Sequence, residues 1–337
     1  MKNESIISKV QKIYMIIICA NIALLNVFIG STHYDPRIIL ETSIILETVI
    51  YIVTLKINKK SNILIKGKID ILVFLMIAIT AIPLFTKTYC SLSDTIDIFI
   101  EYVTVYSMYI IGRNVITTDK RKNILINTML ISSTIIIIFG IDRLNFEVFK
   151  KFYDWAKLPQ VSDWRMTSTI GYCNAVFAYI VSLVILALGK FLENDRPKIA
   201  GLYAAYIQLG AYALYYTKSR AGMILLGLIF IVYLIKLQDI NKIIKAIIIF
   251  IMPYMFVMIF DKIKIIYNTK LMIFIGVILS ICINYILGLI ISKIFKKKEL
   301  KTNKKILIIG IIGFIVLFWT YIMIAKNYSA PYMMKGE

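Results

Sequence analysis

Long unbroken runs of apolar residues alternate along this chain with short, lysine-rich polar connections. A run of about 18–20 apolar residues is what an α-helix needs to cross a hydrocarbon layer roughly 30 Å thick. Helices satisfy their own backbone polar groups there, which irregular chain cannot do. Eleven such spans are read, at about 13–30, 38–55, 69–86, 95–112, 124–141, 169–189, 199–217, 221–235, 246–260, 271–292 and 306–325. The eighth and ninth are short. The pattern predicts an all-α, polytopic integral membrane bundle of about eleven transmembrane helices, with residues 1–337 forming one transmembrane domain. One connection, 142–168, is longer than the others. Within it, Asn145–Ala156 reads as a short amphipathic helix. Phe146, Phe149, Phe152, Tyr153 and Ala156 recur at helical spacing, Asn145 stands as N-cap and Pro159 follows the end. Such a segment lies flat on a membrane surface, either as a plain interfacial helix or as a shelf for a lipid head-group.

Composition agrees with this reading: 60% of the residues are apolar and the mean hydropathy is +0.81. The net charge of +20 raises the question of nucleic acid, and its distribution answers it. All 39 Lys and Arg fall between spans or at their ends. With the N-terminus inside, 25 lie on the inner side and 14 on the outer. That bias follows the positive-inside rule, so the charge reports orientation and contact with anionic lipid. The expected topology is N-terminus in and C-terminus out, with a lipid bilayer and no nucleic acid as partner. The basic start and first apolar run have no cleavage site before His33, so a retained first span is expected. Cys19, Cys90, Cys173 and Cys282 are scattered and His33 is the sole histidine. No metal or other cofactor is expected from them.

Candidate chemistry concentrates at two polar sites. Between the seventh and eighth spans stands Lys218-Ser219-Arg220, preceded by Tyr215-Tyr216 and followed by Ala221-Gly222. A guanidinium costs about 2.5–3.5 kcal/mol at the centre of a membrane helix and less near the interface. Its planar fork suits phosphate or pyrophosphate bidentately. Lys and Arg also anchor span ends, so an interfacial anchor is the alternative. The second site is Trp164-Arg165-Met166-Thr167-Ser168-Thr169-Ile170-Gly171-Tyr172-Cys173-Asn174-Ala175. Here an Arg precedes a span that opens on small and polar residues. A helix starting at Ser168 and Thr169 would offer its free N–H groups to an anion. Asn174, about a turn deeper, either contacts substrate or ties two helices together.

Carboxylates are the other candidates. Glu41, Glu47, Asp97 and Glu101 fall in or near the outer halves of the second and fourth spans, with Asp97 and Glu101 on one helix face. Glu41, Glu47 and Glu101 are candidate acid/base groups, or partners of a nearby cation. Tyr203, Tyr206, Tyr212, Tyr215 and Tyr216 crowd the seventh span, where they suit either sugar stacking or an interfacial belt. Gly201 and Ala205 form a small-xxx-small pair, which predicts close helix packing.

The string YYTKSRAGMILLGLIFIVYLI resembles the membrane core of the O-antigen ligase and polymerase family. Arg165 followed by Gly171, Asn174 and Ala178 resembles that family's other recurrent pattern. The likeness covers about residues 140–240. It implies a glycosyltransferase of the bacterial plasma membrane that takes glycan from a polyprenyl-pyrophosphate carrier and passes it to a hydroxyl of a glycan, lipid or protein acceptor. It also implies Arg165 and Arg220 as catalytic groups on the pyrophosphate, with Lys218, Ser219 and Asn174 binding substrate beside them. The family's late external loop and its histidine have no counterpart after Arg220. The expectation is either a polymerase-like or divergent member that needs no such histidine or a chain that stops before an external region. The alternative activity is a flippase or exporter of a lipid-linked sugar or another amphipathic anion.

Overall fold

The computed structural model describes residues 2–28, 34–58, 67–155, 165–237, 239–267 and 270–295. Among them are helices α1 (Lys2–Phe28), α2 (Tyr34–Ile57), α3 (Lys68–Thr86), α4 (Leu92–Val115), α5 (Asp119–Asn145), α6 (Lys150–Trp155), α7 (Cys173–Glu193), α8 (Pro197–Tyr216), α9 (Arg220–Lys236), α10 (Ile240–Tyr267) and α11 (Lys270–Ile294). A 3-10 turn, Ser168–Ile170, precedes α7, and no strand occurs among the described residues.

Eight of these helices are long and apolar enough to cross a membrane: α1 to α5, α7, α10 and α11. The chain is therefore a multi-pass helical membrane protein. Helix α9 has 17 residues, and the five tyrosines of α8 with Gln208 lower its hydropathy, so these two fall short of the other eight. The ninth span, read as short, is a 28-residue helix with Pro253 inside it. The span read at 306–325 lies outside the described residues.

Two compact units make up the described chain. The first holds α1 to α4, α5 as far as Ile136, and residues 151–155 and 169–171. Its core joins Tyr14, Met15 and Ile18 of α1 to Tyr51 and Leu55 of α2 and to Ile110, Ile111 and Val115 of α4. The Tyr14 and Tyr51 rings lie 4.5 Å apart, and Tyr14 donates to the Glu47 carbonyl at 3.0 Å. Buried Asp70 pairs with Arg113, accepts from Tyr109 at 2.7 Å, and caps its own helix by accepting from the Gly67 N–H. Charges inside an apolar bundle are tolerable only when paired in this way.

The second unit is built around α8, with α7, α10 and α11 packed on it. A side chain at Gly288 would run into Ala204 and the backbone of Gly201, so α8 and α11 approach almost backbone to backbone. The small residues in contact are Gly201 and Ala204, one position from the expected Ala205. Asn284 of α11 donates to the Ala204 carbonyl at 2.6 Å, and Ser280 to the Tyr212 hydroxyl at 3.1 Å. Tyr206, Tyr212 and Tyr216 are buried in this packing. A ring enclosed by neighbouring helices cannot stack on a sugar.

Two local readings change. Asn145 is the last residue of α5, so it does not cap the following segment. The chain turns through Glu147, at φ 56, where the Asp142 carboxylate accepts from the N–H groups of Val148 and Phe149 at 3.0 and 3.2 Å. Helix follows only from Lys150. Likewise α7 starts at Cys173, several residues later than read. Ser168 at φ 52 and Gly171 at φ 77 bend the backbone out of helical geometry first.

Candidate functional site

Helix α8 ends at Tyr216, and three residues turn the chain into α9. Lys218 takes the left-handed conformation, φ 50, which reverses the backbone within so short a connection. The Ser219 hydroxyl then accepts from the Gly222 N–H at 3.2 Å, a side-chain cap that fixes where α9 begins. Arg220 is thereby the first residue of α9, at the positive end of its dipole. Gly222 is small because the Phe177 ring of α7 lies against it.

The Arg165 segment is bound to this turn. Met166 donates its backbone N–H to the Tyr216 carbonyl at 2.8 Å, and Arg165 donates from Nε to the Thr217 carbonyl at 3.0 Å. These bonds occupy carbonyls that the end of α8 leaves without helical partners. The outer edge of the Arg165 guanidinium reaches the Asn174 side-chain oxygen at 3.4 Å, and the Asn174 amide donates to the Tyr172 hydroxyl at 2.8 Å. Arg165, Lys218, Ser219, Arg220 and Asn174 therefore meet at one end of the second unit. Lys218, Arg220 and Asn174 are exposed, Arg165 is half-buried and Ser219 is buried. Among the described residues, neither Lys218 nor Arg220 has an ion-pair or side-chain hydrogen-bond partner.

Ser168 and Thr169 do not offer an exposed helix start, since both are buried and precede α7. The N-cap of α7 is instead Tyr172, whose side chain does not cap the helix. Tyr172 is 60% exposed, and its hydroxyl accepts from the Asn174 amide.

Three residues here were not singled out from sequence. Arg143, in the last turn of α5, donates to the Ser168 carbonyl at 3.0 Å and braces the same segment. Asp261, expected in a connection, lies on α10 and accepts from the hydroxyls of Tyr215 and Tyr216 at 2.9 and 3.1 Å. Tyr172 gave no signal beyond following a glycine.

Glu41, Glu47 and Glu101 all belong to the first unit. Arg37 pairs with Glu41 at 2.9 Å and with Glu101, while Glu47 accepts from Asn21 at 2.7 Å. Each is held by a cation or an amide within that unit.

Comparison of the chain with protein-family models, curated proteins and solved structures finds no match.

Proposed function

We propose that the chain is a membrane glycosyltransferase of the O-antigen ligase and polymerase type. In this reading it lies in a bacterial plasma membrane with its N-terminus inside, and the α8–α9 turn faces outward. A glycan on polyprenyl pyrophosphate is its donor and an acceptor hydroxyl its second substrate. One observation carries the reading: Arg165 bonds to the Thr217 carbonyl, three residues before Arg220. The two arginine motifs thus form one cationic site instead of two separate anchors.

Pyrophosphate leaves the anomeric carbon with its bonding electron pair, so negative charge grows on the departing oxygen. Cations already in place stabilise that growth without reorganising during the reaction. Arg220 and Lys218, which have no ion-pair partner among the described residues, bring positive charge to the site, and the start of α9 adds its partial positive charge. Arg165 donates from Nε to Thr217 and from a terminal nitrogen to Asn174, a two-partner geometry that a flexible ammonium does not reproduce. Asn174, fixed between Arg165 and Tyr172, holds an amide beside the cations.

The test is purified protein in lipid vesicles, given radiolabelled polyprenyl-pyrophosphate-linked glycan and a soluble glycan acceptor. The reading expects label on the acceptor and release of polyprenyl pyrophosphate. Movement of intact carrier across the vesicle, with no covalent change, would replace it with the flippase reading.

A further inference from the structure

Transfer to a hydroxyl also requires a group to take that hydroxyl's proton, and among the described residues the arginine site contains none. We propose that Asp261 is this proton acceptor, set in place by Tyr215 and Tyr216; the assignment rests on the glycosyltransferase reading above.

The geometry of α8 and α10 leads to it. Tyr215 and Tyr216 close the last turn of α8, and each sends its hydroxyl to a different oxygen of the Asp261 carboxylate, at 2.9 and 3.1 Å. Their rings stand nearly perpendicular, 87° apart with centroids at 5.2 Å, so adjacent residues converge on one acceptor. The backbone of Tyr216 belongs to the cationic site as well, since its carbonyl receives the Met166 N–H. Asp261 is therefore one tyrosine side chain away from the segment that carries Arg165. Hydrogen bonds to a carboxylate favour its ionised form, the form able to accept a proton. Each oxygen has further lone pairs beyond the one its tyrosine uses, and the residue is half-buried, not enclosed.

The other described carboxylates of the second unit do not serve. Asp142 is buried and spends both oxygens on the backbone N–H groups of Val148 and Phe149. Glu147 is exposed on a turn, with no side-chain partner among the described residues to aim it. Glu193, Asp195 and Asp239 lie where α7 ends, α8 begins and α9 meets α10, a helix length from the α8–α9 turn. A 20-residue helix is about 30 Å long.

In the step assigned to it, the acceptor oxygen bonds to the anomeric carbon as its proton passes to Asp261. The bond from that carbon to the pyrophosphate oxygen breaks, and the electron pair leaves with the pyrophosphate beside Arg165, Lys218 and Arg220. Asp261 then releases its proton to water or to the departing pyrophosphate, and the carboxylate is restored.

The experiment measures two quantities on full-length protein in lipid vesicles: binding of sugar-free polyprenyl pyrophosphate, and transfer from the labelled donor at saturation. Asp261→Asn keeps the shape and removes the proton acceptor. The expected result is polyprenyl pyrophosphate binding within about two-fold of wild type, with maximal transfer down about 100-fold or more. Asp261→Glu restores the carboxylate, and transfer recovers at least ten-fold over the Asn variant. The Tyr215→Phe and Tyr216→Phe double variant retains Asp261 but frees it, and is expected to lose turnover while still binding; it decides the question if Asp261→Asn does not accumulate. Wild-type transfer by Asp261→Asn, or by the double tyrosine variant, would overturn the assignment. So would parallel loss of binding and transfer with no rescue by Glu, the mark of a purely structural tie. A wild-type protein that neither binds the carrier nor transfers glycan would instead remove the glycosyltransferase reading itself.

Discussion

Arg165 donates from Nε to the Thr217 carbonyl at 3.0 Å, across 52 residues of chain. The bond joins the two arginine-bearing motifs at the only polar turn between α8 and α9. It also gives Arg165 a task that lysine cannot share between two partners. Arg165→Lys keeps the charge but lacks the planar fork with which the proposed clamp holds a carbonyl and a phosphate oxygen together. We expect the variant to accumulate in membranes as wild type does and to transfer glycan roughly ten- to a hundred-fold more slowly, the loss of one strong charge-assisted contact of about 1.5–3 kcal/mol. Transfer rates at matched protein level check this.

Ser219 separates capping from charge. Its hydroxyl caps α9 through the Gly222 N–H, so Ser219→Ala should cost about 1 kcal/mol of stability and lower the thermal midpoint in detergent. Ser219→Asp keeps a capping oxygen and puts a negative charge next to Arg220. Its stability should stay near wild type while its affinity for polyprenyl pyrophosphate falls. Unchanged affinity in Ser219→Asp would mean that the anion does not sit at this turn.

The contact of Gly288 with Ala204 and the Gly201 backbone fixes how closely α11 approaches α8. Gly288→Val must push the two backbones apart, which overpacking data put at about 1–3 kcal/mol. A lower thermal midpoint and reduced accumulation in membranes are expected. Gly112, inside α4, where an added methyl group would meet nothing closer than 3.6 Å, is the control, and Gly112→Ala should lower neither.

The inside-rich distribution of basic residues fixes the proposed orientation. In a background without Cys19, Cys90, Cys173 and Cys282, single cysteines test it at Lys87, Glu147, Thr118 and Arg196. Membrane-impermeant maleimide added to intact cells should label Lys87→Cys and Glu147→Cys and spare the other two. The reverse pattern would put the α8–α9 turn inside and rule out an external transfer site.

Much of the fold was legible because a bilayer allows so few solutions. Apolar runs near 20 residues have to be helices, and their positions agree within about five residues with α2 to α5, α7 to α9 and α11, while α1 and α10 extend well beyond the apolar runs that announce them. Interruptions at Pro197 and Ser219 mark helix starts by well-known local chemistry. The start of α7 was not legible, since it depends on the left-handed backbone of Ser168, which side-chain type does not announce. The helix inferred from Asn145 begins only at Lys150, because Asp142 holds the N–H groups of Val148 and Phe149 out of helical geometry. At the site, Arg165 and Arg220 stood out as cations next to apolar spans. The bond between Arg165 and Thr217 is a long-range contact to a backbone carbonyl and leaves no periodic trace. Asp261 looked like a connecting residue because helix α10 runs several residues beyond its apolar stretch. Only the convergence of two tyrosine hydroxyls distinguishes it. The division into two units, with Glu41 and Glu101 held by Arg37 in the first, also has no signature in the linear pattern.

Arg220 decides whether the site is a pyrophosphate clamp or a membrane anchor. It is exposed and, among the described residues, has no partner, as either role permits. Lysine anchors a span end as well as arginine does, but it does not present a planar pair of donors. The direct measurement is glycan transfer by Arg220→Lys in vesicles, at matched protein level and with insertion verified. A clamp predicts a loss of roughly ten- to a hundred-fold, with weaker binding of polyprenyl pyrophosphate. Transfer and binding at the wild-type level would contradict the clamp and leave Arg220 as an anchor.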